Sequence, residues 1–70
     1  MKISARNQLP ATVKSITEGQ VMAEITVEVD GGHEVVAAIT AESARRLGLA
    51  AGKRVMVIVK STEVMLAVED

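Results

Sequence analysis

The sequence predicts an all-β chain with one short helix, closed into a small barrel of five to six strands and assembled as an oligomer. Three observations predict it. The chain has 70 residues, 49% of them hydrophobic, yet no Phe, Tyr, Trp or Cys, so the core must be Val, Ile, Leu, Met and Ala, and the β-branched members favour strands. Apolar residues recur with a period of two through "QVMAEITVEVD", the spacing of a half-buried strand. Only "TAESARRLGL" changes to a helical period.

The elements follow in order. "ATVKSI", residues 11 to 16, alternates as a first strand, and "TEGQ" supplies a turn in which Gly19 is expected at positive φ. In the second strand Val21, Ala23, Ile25, Val27 and Val29 share one face, while Met22, Glu24, Thr26, Glu28 and Asp30 share the other. Asp30, Gly31 and Gly32 form a hairpin signal, so "HEVVAAIT" returns antiparallel.

Thr40 then suits the cap of a helix from about Ala41 to Leu47. Glu42 lies near its positive end, Arg45 and Arg46 near its negative end, and Gly48 is placed to be the left-handed residue that ends it. After the "AAGKR" turn, "VMVIV" at Val55 to Val59 is apolar on both faces. Such a strand is either central to a closed barrel or covered by another subunit. "KSTE" interrupts, and "VMLAV" forms a last strand. This order is that of a small barrel of the oligonucleotide/oligosaccharide-binding type. With no linker, repeat or low-complexity tract, residues 1–70 form a single domain.

A domain this short buries only about 60% of its unfolded surface and needs reinforcement. Disulfides are impossible without cysteine, and a single histidine, His33, gives no zinc-like spacing. Association of subunits is the remaining remedy. The formal net charge is −1 with both signs interspersed, which offers no basic face and no aromatic platform for nucleic acid. No apolar run approaches the roughly 20 residues of a membrane span and no signal peptide is present, so the expected location is cytoplasmic.

Catalysis has little to stand on. His33 sits beside the glycine turn without a nucleophile motif, and reads as an exposed turn residue. Glu24 and Glu28 are four apart on one strand, about 13 Å, which is too far for a paired acid and base. No phosphate-binding glycine loop occurs.

Two polar islands interrupt apolar sequence: "SARN" at Ser4 to Asn7 and "KST" at Lys60 to Thr62. Each offers a cation, a hydroxyl and a run of backbone N–H groups, the inventory for a tetrahedral oxyanion. Taken singly, each also reads as strand-end polar groups serving the local backbone. From residue chemistry alone the two readings stand level. Micromolar affinity needs about 8 kcal/mol, while a charge-assisted hydrogen bond contributes about 1.5 to 3 kcal/mol, so several donors must converge. Ser4, Arg6, Lys60 and Ser61 with their amides would suffice if "SARN" is held against "KST" of the same or a neighbouring subunit.

Those islands also carry a resemblance. "SARNQL", then "GG" with "AAIT", then Ser43 with "LGL" and Gly52, and finally "VIVKSTEVML" together resemble the molybdate-binding Mop domain, in particular the free-standing small molbindins, over essentially the whole chain. The resemblance implies a barrel assembled as a homohexamer, a trimer of dimers, that stores or buffers molybdate or tungstate at subunit interfaces. It implies oxyanion contacts at Ser4, Ala5 and Arg6 of one subunit and Lys60 and Ser61 of another, with the backbone near Ile39 and Thr40 included. No organic cofactor or resident metal is implied beyond the oxyanion itself. Members commonly carry glycine shortly after "NQL", where this chain has Pro10 and Ala11, so the bend of the first strand is the point of departure.

Two other readings compete. "ITAESARRLGLAAGKRVMV" also resembles swapped-hairpin transcription factors whose small barrels bind DNA, but residues 1 to 40 lack their basic character, and the two islands would go unexplained. A structural oligomerisation module without ligand is the third.

Overall fold

Alternation sets the sheet. In β2, Met22–Val29, the side chains of Ala23, Ile25 and Val27 are buried while Glu24 and Glu28, on the opposite face, are exposed. The computed structural model describes residues 1–69. Around β2 lie β1 (Asn7–Glu18), β3 (Glu34–Thr40), a helix α1 (Ala41–Arg46) and β4 (Arg54–Val59), followed by a 3₁₀ turn at Ser61–Glu63. The strands form one antiparallel sheet in the order β3-β2-β1-β4.

The sheet is curled. Val13 stands opposite Val27 and Ser15 opposite Thr26, which leaves Lys14 as the extra residue of a bulge in β1. A bulge bends its strand and tightens the local twist. On either side of it Val13 and Ile16 face inward, and Lys14 and Ser15 are exposed. The core joins Ala11 and Val13 of β1, Ala23, Ile25 and Val27 of β2, and Ala44 of α1. Val35, Ala37, Ile39, Leu49, Val55 and Val57 pack around them. An aliphatic core of this kind must close by curvature, because no ring is available to fill its centre.

The helix ends as its sequence dictates. Thr40 Oγ1 accepts the Ser43 amide at 3.0 Å, satisfying one of the donors a helix start leaves free. Gly48, at φ +65°, closes the other end with its amide on the Arg45 carbonyl at 3.0 Å. The helix stops at Arg46, with Leu47 as its cap, one residue short of the expected end.

Several expectations are corrected. The first strand begins at Asn7 rather than at residue 11, because its early half pairs with β4 from Asn7↔Val59 to Thr12↔Arg54. Pro10 is accommodated at the sheet's partly paired margin: it faces Met56, and its carbonyl accepts the Asp30 amide at 3.0 Å. Val21 is 73% exposed, since pairing with β1 extends only to Ala23 opposite Glu18. Gly19 does not adopt positive φ. A Cβ there would stand 3.0 Å from the Met22 carbonyl oxygen, so close approach of backbone, and not handedness, calls for glycine.

The largest difference concerns closure. The all-β class with one short helix stands, but the described residues form four strands and not five or six. "VMLAV" is unpaired, with Met65 91%, Leu66 93% and Val68 87% exposed. Beyond Val59 the chain turns at Ser61–Glu63 and leaves the sheet, so no strand fills the gap between the free edges β3 and β4. β4 is therefore an edge strand with Met56 and Ile58 exposed, and of the two expected settings for "VMVIV" the closed single-chain barrel is ruled out.

Candidate functional site

Antiparallel pairing of β1 with β4 ends at Asn7 opposite Val59. The segment before Asn7 and the segment after Val59 must therefore leave the sheet side by side. Ser4 and Ala5 from the first, and Lys60, Ser61 and Thr62 from the second, line one cavity of about 430 Å³ together with Ile58. The two polar islands, 53 residues apart from Asn7 back to Lys60 in sequence, are thus neighbours within a single chain.

Local structure fixes each wall. Gln8 Nε2 donates to the Ala5 carbonyl at 2.6 Å, which ties the amino-terminal segment back against β1. The opposite wall is held by the turn, in which the Glu63 amide donates to the Lys60 carbonyl at 2.9 Å. The amides of Ser4, Ala5, Ser61 and Thr62 donate to no backbone carbonyl among the described residues. Free amides, the three hydroxyls of Ser4, Ser61 and Thr62 and the Lys60 ammonium make a donor-rich wall, and no carboxylate lines it. Such a donor inventory suits a compact anion.

The remaining sequence-predicted residues lie elsewhere. Arg6 is exposed and outside the cavity lining. Ile39 and Thr40 are at the other end of the sheet, opposite Ala23 and Met22, where β2 meets the Glu18 end of β1. The Thr40 hydroxyl is engaged in capping α1, accepting from the Ser43 amide and donating to Ser43 Oγ at 2.7 Å. Within one chain these three do not join Ser4, Ala5, Lys60 and Ser61.

Two lining residues escaped the sequence reading. Ile58 shares a face with Lys60 because residues two apart on a strand point the same way. Thr62 belongs to the same turn as Ser61. Both signals were present in the period and length of the "VIVKST" stretch.

A second cavity, of about 480 Å³, is lined by Thr12, Glu28, Val29, Asp30 and Gly31. Its carboxylates make it hostile to anions. Asp30 is held by both arms of Arg54, at 2.8 and 2.9 Å, and Arg54 also donates to Thr12 Oγ1 at 2.9 Å. The guanidinium hydrogen bond keeps the Asp30 carboxyl below its ordinary range, and the carboxylate in turn raises Arg54. No cluster of three or more His, Cys, Asp or Glu suited to a metal ion occurs among the described residues. No helix is long and apolar enough to cross a membrane.

The TOBE domain model matches residues 3–66, a span that takes in the curled sheet and both walls of the cavity. The chain belongs to the TOBE-domain family. Within that family, this TOBE domain is 41% identical over 66 residues to molybdenum-pterin-binding protein 2 of Clostridium pasteurianum, covering 94% of this chain and 97% of that protein. Among solved structures it superimposes on a molybdate-binding protein from Sporomusa ovata with a TM-score of 0.90 and 49% identity, covering 96% of this chain and 98% of the other. It also matches the cytoplasmic molybdate-binding protein ModG, solved with molybdate bound, at 44% identity and a TM-score of 0.82 over 94% of this chain and 53% of that one. The resemblance to Mop domains drawn from "SARN" and "KST" is thereby confirmed at the level of family and fold.

Proposed function

We propose that this TOBE domain binds molybdate or tungstate in the Ser4–Thr62 cavity, as a binding and storage protein rather than a catalyst. The observation that carries the reading is the union of "SARN" and "KST" in one carboxylate-free, amide-rich cavity. The names of the relatives contain both molybdate and a molybdenum pterin. The donor set favours the inorganic oxyanion, since a pterin ring calls for a stacking partner and the chain has no Phe, Tyr or Trp, while its one histidine, His33, does not line the cavity. Lys60 supplies charge, and the amides and hydroxyls of Ser4, Ala5 and Ser61 supply direction.

The cavity walls at Ser4, Lys60, Ser61 and Thr62 are exposed in a single chain. Charged contacts in open water contribute little, so tight binding calls for a neighbour to exclude solvent. A neighbour is also called for by the uncovered apolar surface, which is spread over more than one face: Val64, Met65, Leu66 and Val68 beyond the cavity, Val21, Met22 and Leu47 at the far end of the sheet, and Leu9, Val36, Met56 and Ile58 on the strands. A single self-complementary interface closes a dimer, whereas two kinds of interface generate a larger closed assembly. This supports the homohexamer, a trimer of dimers, in which Arg6, Ile39 and Thr40 reach a cavity from an adjoining protomer. One domain spanning residues 1–70, working in the cytoplasm, completes the reading.

DNA binding is disfavoured by the distribution of charge. Lys14 is paired with Glu34, Arg45 with Glu18 and Arg54 with Asp30, which breaks up any basic stripe. Equilibrium dialysis against molybdate and tungstate, alongside a titration with duplex DNA, tests the proposal. Oxyanion uptake without DNA binding is expected; tight DNA binding without oxyanion uptake would sink it.

A further inference from the structure

One of the two cavity walls depends on a single side chain. Strand pairing begins at Asn7, so residues 1–6 lie outside the sheet. Among the described residues, the only hydrogen bond from residues 1–6 to the rest of the chain is the one that Gln8 Nε2 donates to the Ala5 carbonyl at 2.6 Å. The wall across from it is held differently, by the Ser61–Glu63 turn that follows β4 and closes on itself through the Glu63 amide and the Lys60 carbonyl. Loss of the Gln8 bond therefore frees Ser4 and Ala5 and leaves Ser61 and Thr62 where they are.

Gln8 occupies a fixed point from which to do this. It pairs with Ile58 across the β1–β4 ladder, and Ile58 and Lys60 line the cavity, so Gln8 rises on the same face of the sheet as the cavity. Gln8 and Ala5 are both half-buried, and a hydrogen bond partly screened from water is stronger than an exposed one. Gln8 itself does not line the cavity. Its effect reaches the anion through the backbone: a trans peptide points its C=O and N–H in opposite directions, so fixing the Ala5 carbonyl also fixes the Arg6 amide. The same bond engages a carbonyl oxygen, the backbone atom that repels an anion.

We infer that Gln8 is the positioning residue of this site, holding the backbone of residues 4–6 in its binding arrangement before the anion arrives. The inference rests on the oxyanion reading of the cavity. Fixing a backbone costs conformational entropy, and a segment held in advance does not meet that cost on binding, so the difference appears as affinity.

Gln8→Met keeps the length of the side chain and deletes its donor. Calorimetric titration of the full chain with sodium molybdate tests the role, paired with backbone heteronuclear NOEs of the anion-free proteins and with thermal melts. Q8M is expected to bind molybdate about fivefold more weakly, the worth of one neutral hydrogen bond. Its NOEs are expected to fall at Ala5 and Arg6 and to stay unchanged at Ser61 and Thr62, with the melting temperature held. Gln8→Asn, whose amide falls one methylene short, gives the same comparison with polarity retained, should Q8M fail to fold. Molybdate binding by the wild type with equal affinity in the variants, or with unchanged NOEs at Ala5 and Arg6, overturns the role of Gln8 alone. No binding by the wild type overturns the oxyanion reading and the role with it.

Discussion

Asn7 stands opposite Val59 as the last pair of the β1–β4 ladder, and this register is what makes a cavity from two distant segments. Three residues before Asn7 comes Ser4; two after Val59 comes Ser61. Shifting the pairing by a single residue would turn Ile58 and Lys60 to the opposite face and dissolve the wall they share.

Lys60 is therefore the cation whose loss should be felt most. A charge-assisted hydrogen bond contributes about 1.5 to 3 kcal/mol, so Lys60→Ala is expected to weaken molybdate binding by roughly ten- to a hundredfold. Arg6→Ala should also weaken it, but by less, since Arg6 does not line the cavity of its own chain and would act only from an adjoining protomer. Calorimetric titration of both variants measures this, with sedimentation confirming that the oligomer persists. Unchanged affinity in both would assign the anion to the amides alone.

Thr62→Val keeps the volume of the side chain and deletes one hydroxyl of the cavity wall. A neutral hydrogen bond is worth about 1 kcal/mol, and a fall of about fivefold in molybdate affinity is expected with thermal stability unchanged. An unaltered affinity would place the Thr62 hydroxyl outside the ligand's reach.

How much of this was legible in the sequence depended on what each residue answers to. Ala23, Ile25, Val27, the Thr40 cap and Gly48 answer to local periodicity and local hydrogen bonding, and were read correctly. Gly19 lies in the turn its sequence marks, but at negative φ, and the close approach of the Met22 carbonyl that calls for glycine there leaves no mark in composition. "VMLAV" has the composition of a strand, but pairing is a property of the partner, and no partner strand lies beside it among the described residues. "SARN" and "KST" were recognised by their chemistry and by resemblance, while their adjacency depended on the β1–β4 register, which no local pattern specifies.

Core stability should rest heavily on Val13, the largest fully buried side chain, which sits beside the bulge in β1. Val13→Ala removes two methyl groups and leaves a cavity, at a cost of about 2 to 3 kcal/mol. Urea unfolding is expected to show a lower midpoint with little change in slope. A midpoint within error of the wild type would mean that the curled sheet collapses around the gap.

Asp30 predicts an acid limit. The Arg54 hydrogen bond holds its carboxyl below the ordinary value of an unfolded chain, so the pairing contributes fully above that ordinary value and is lost as pH falls through the lower, folded one. Thermal melts should therefore show Asp30→Asn destabilised relative to wild type at pH 6, with the gap closing below about pH 4. A gap independent of pH would assign the effect to packing and not to the ion pair.

The central claim, that an assembled TOBE domain holds an inorganic oxyanion between its polar islands, is tested most directly by native mass spectrometry of the intact protein with and without molybdate. The account predicts a hexamer whose mass increases by whole molybdate units. A monomer, or an oligomer whose mass is unchanged at saturating molybdate, would contradict it.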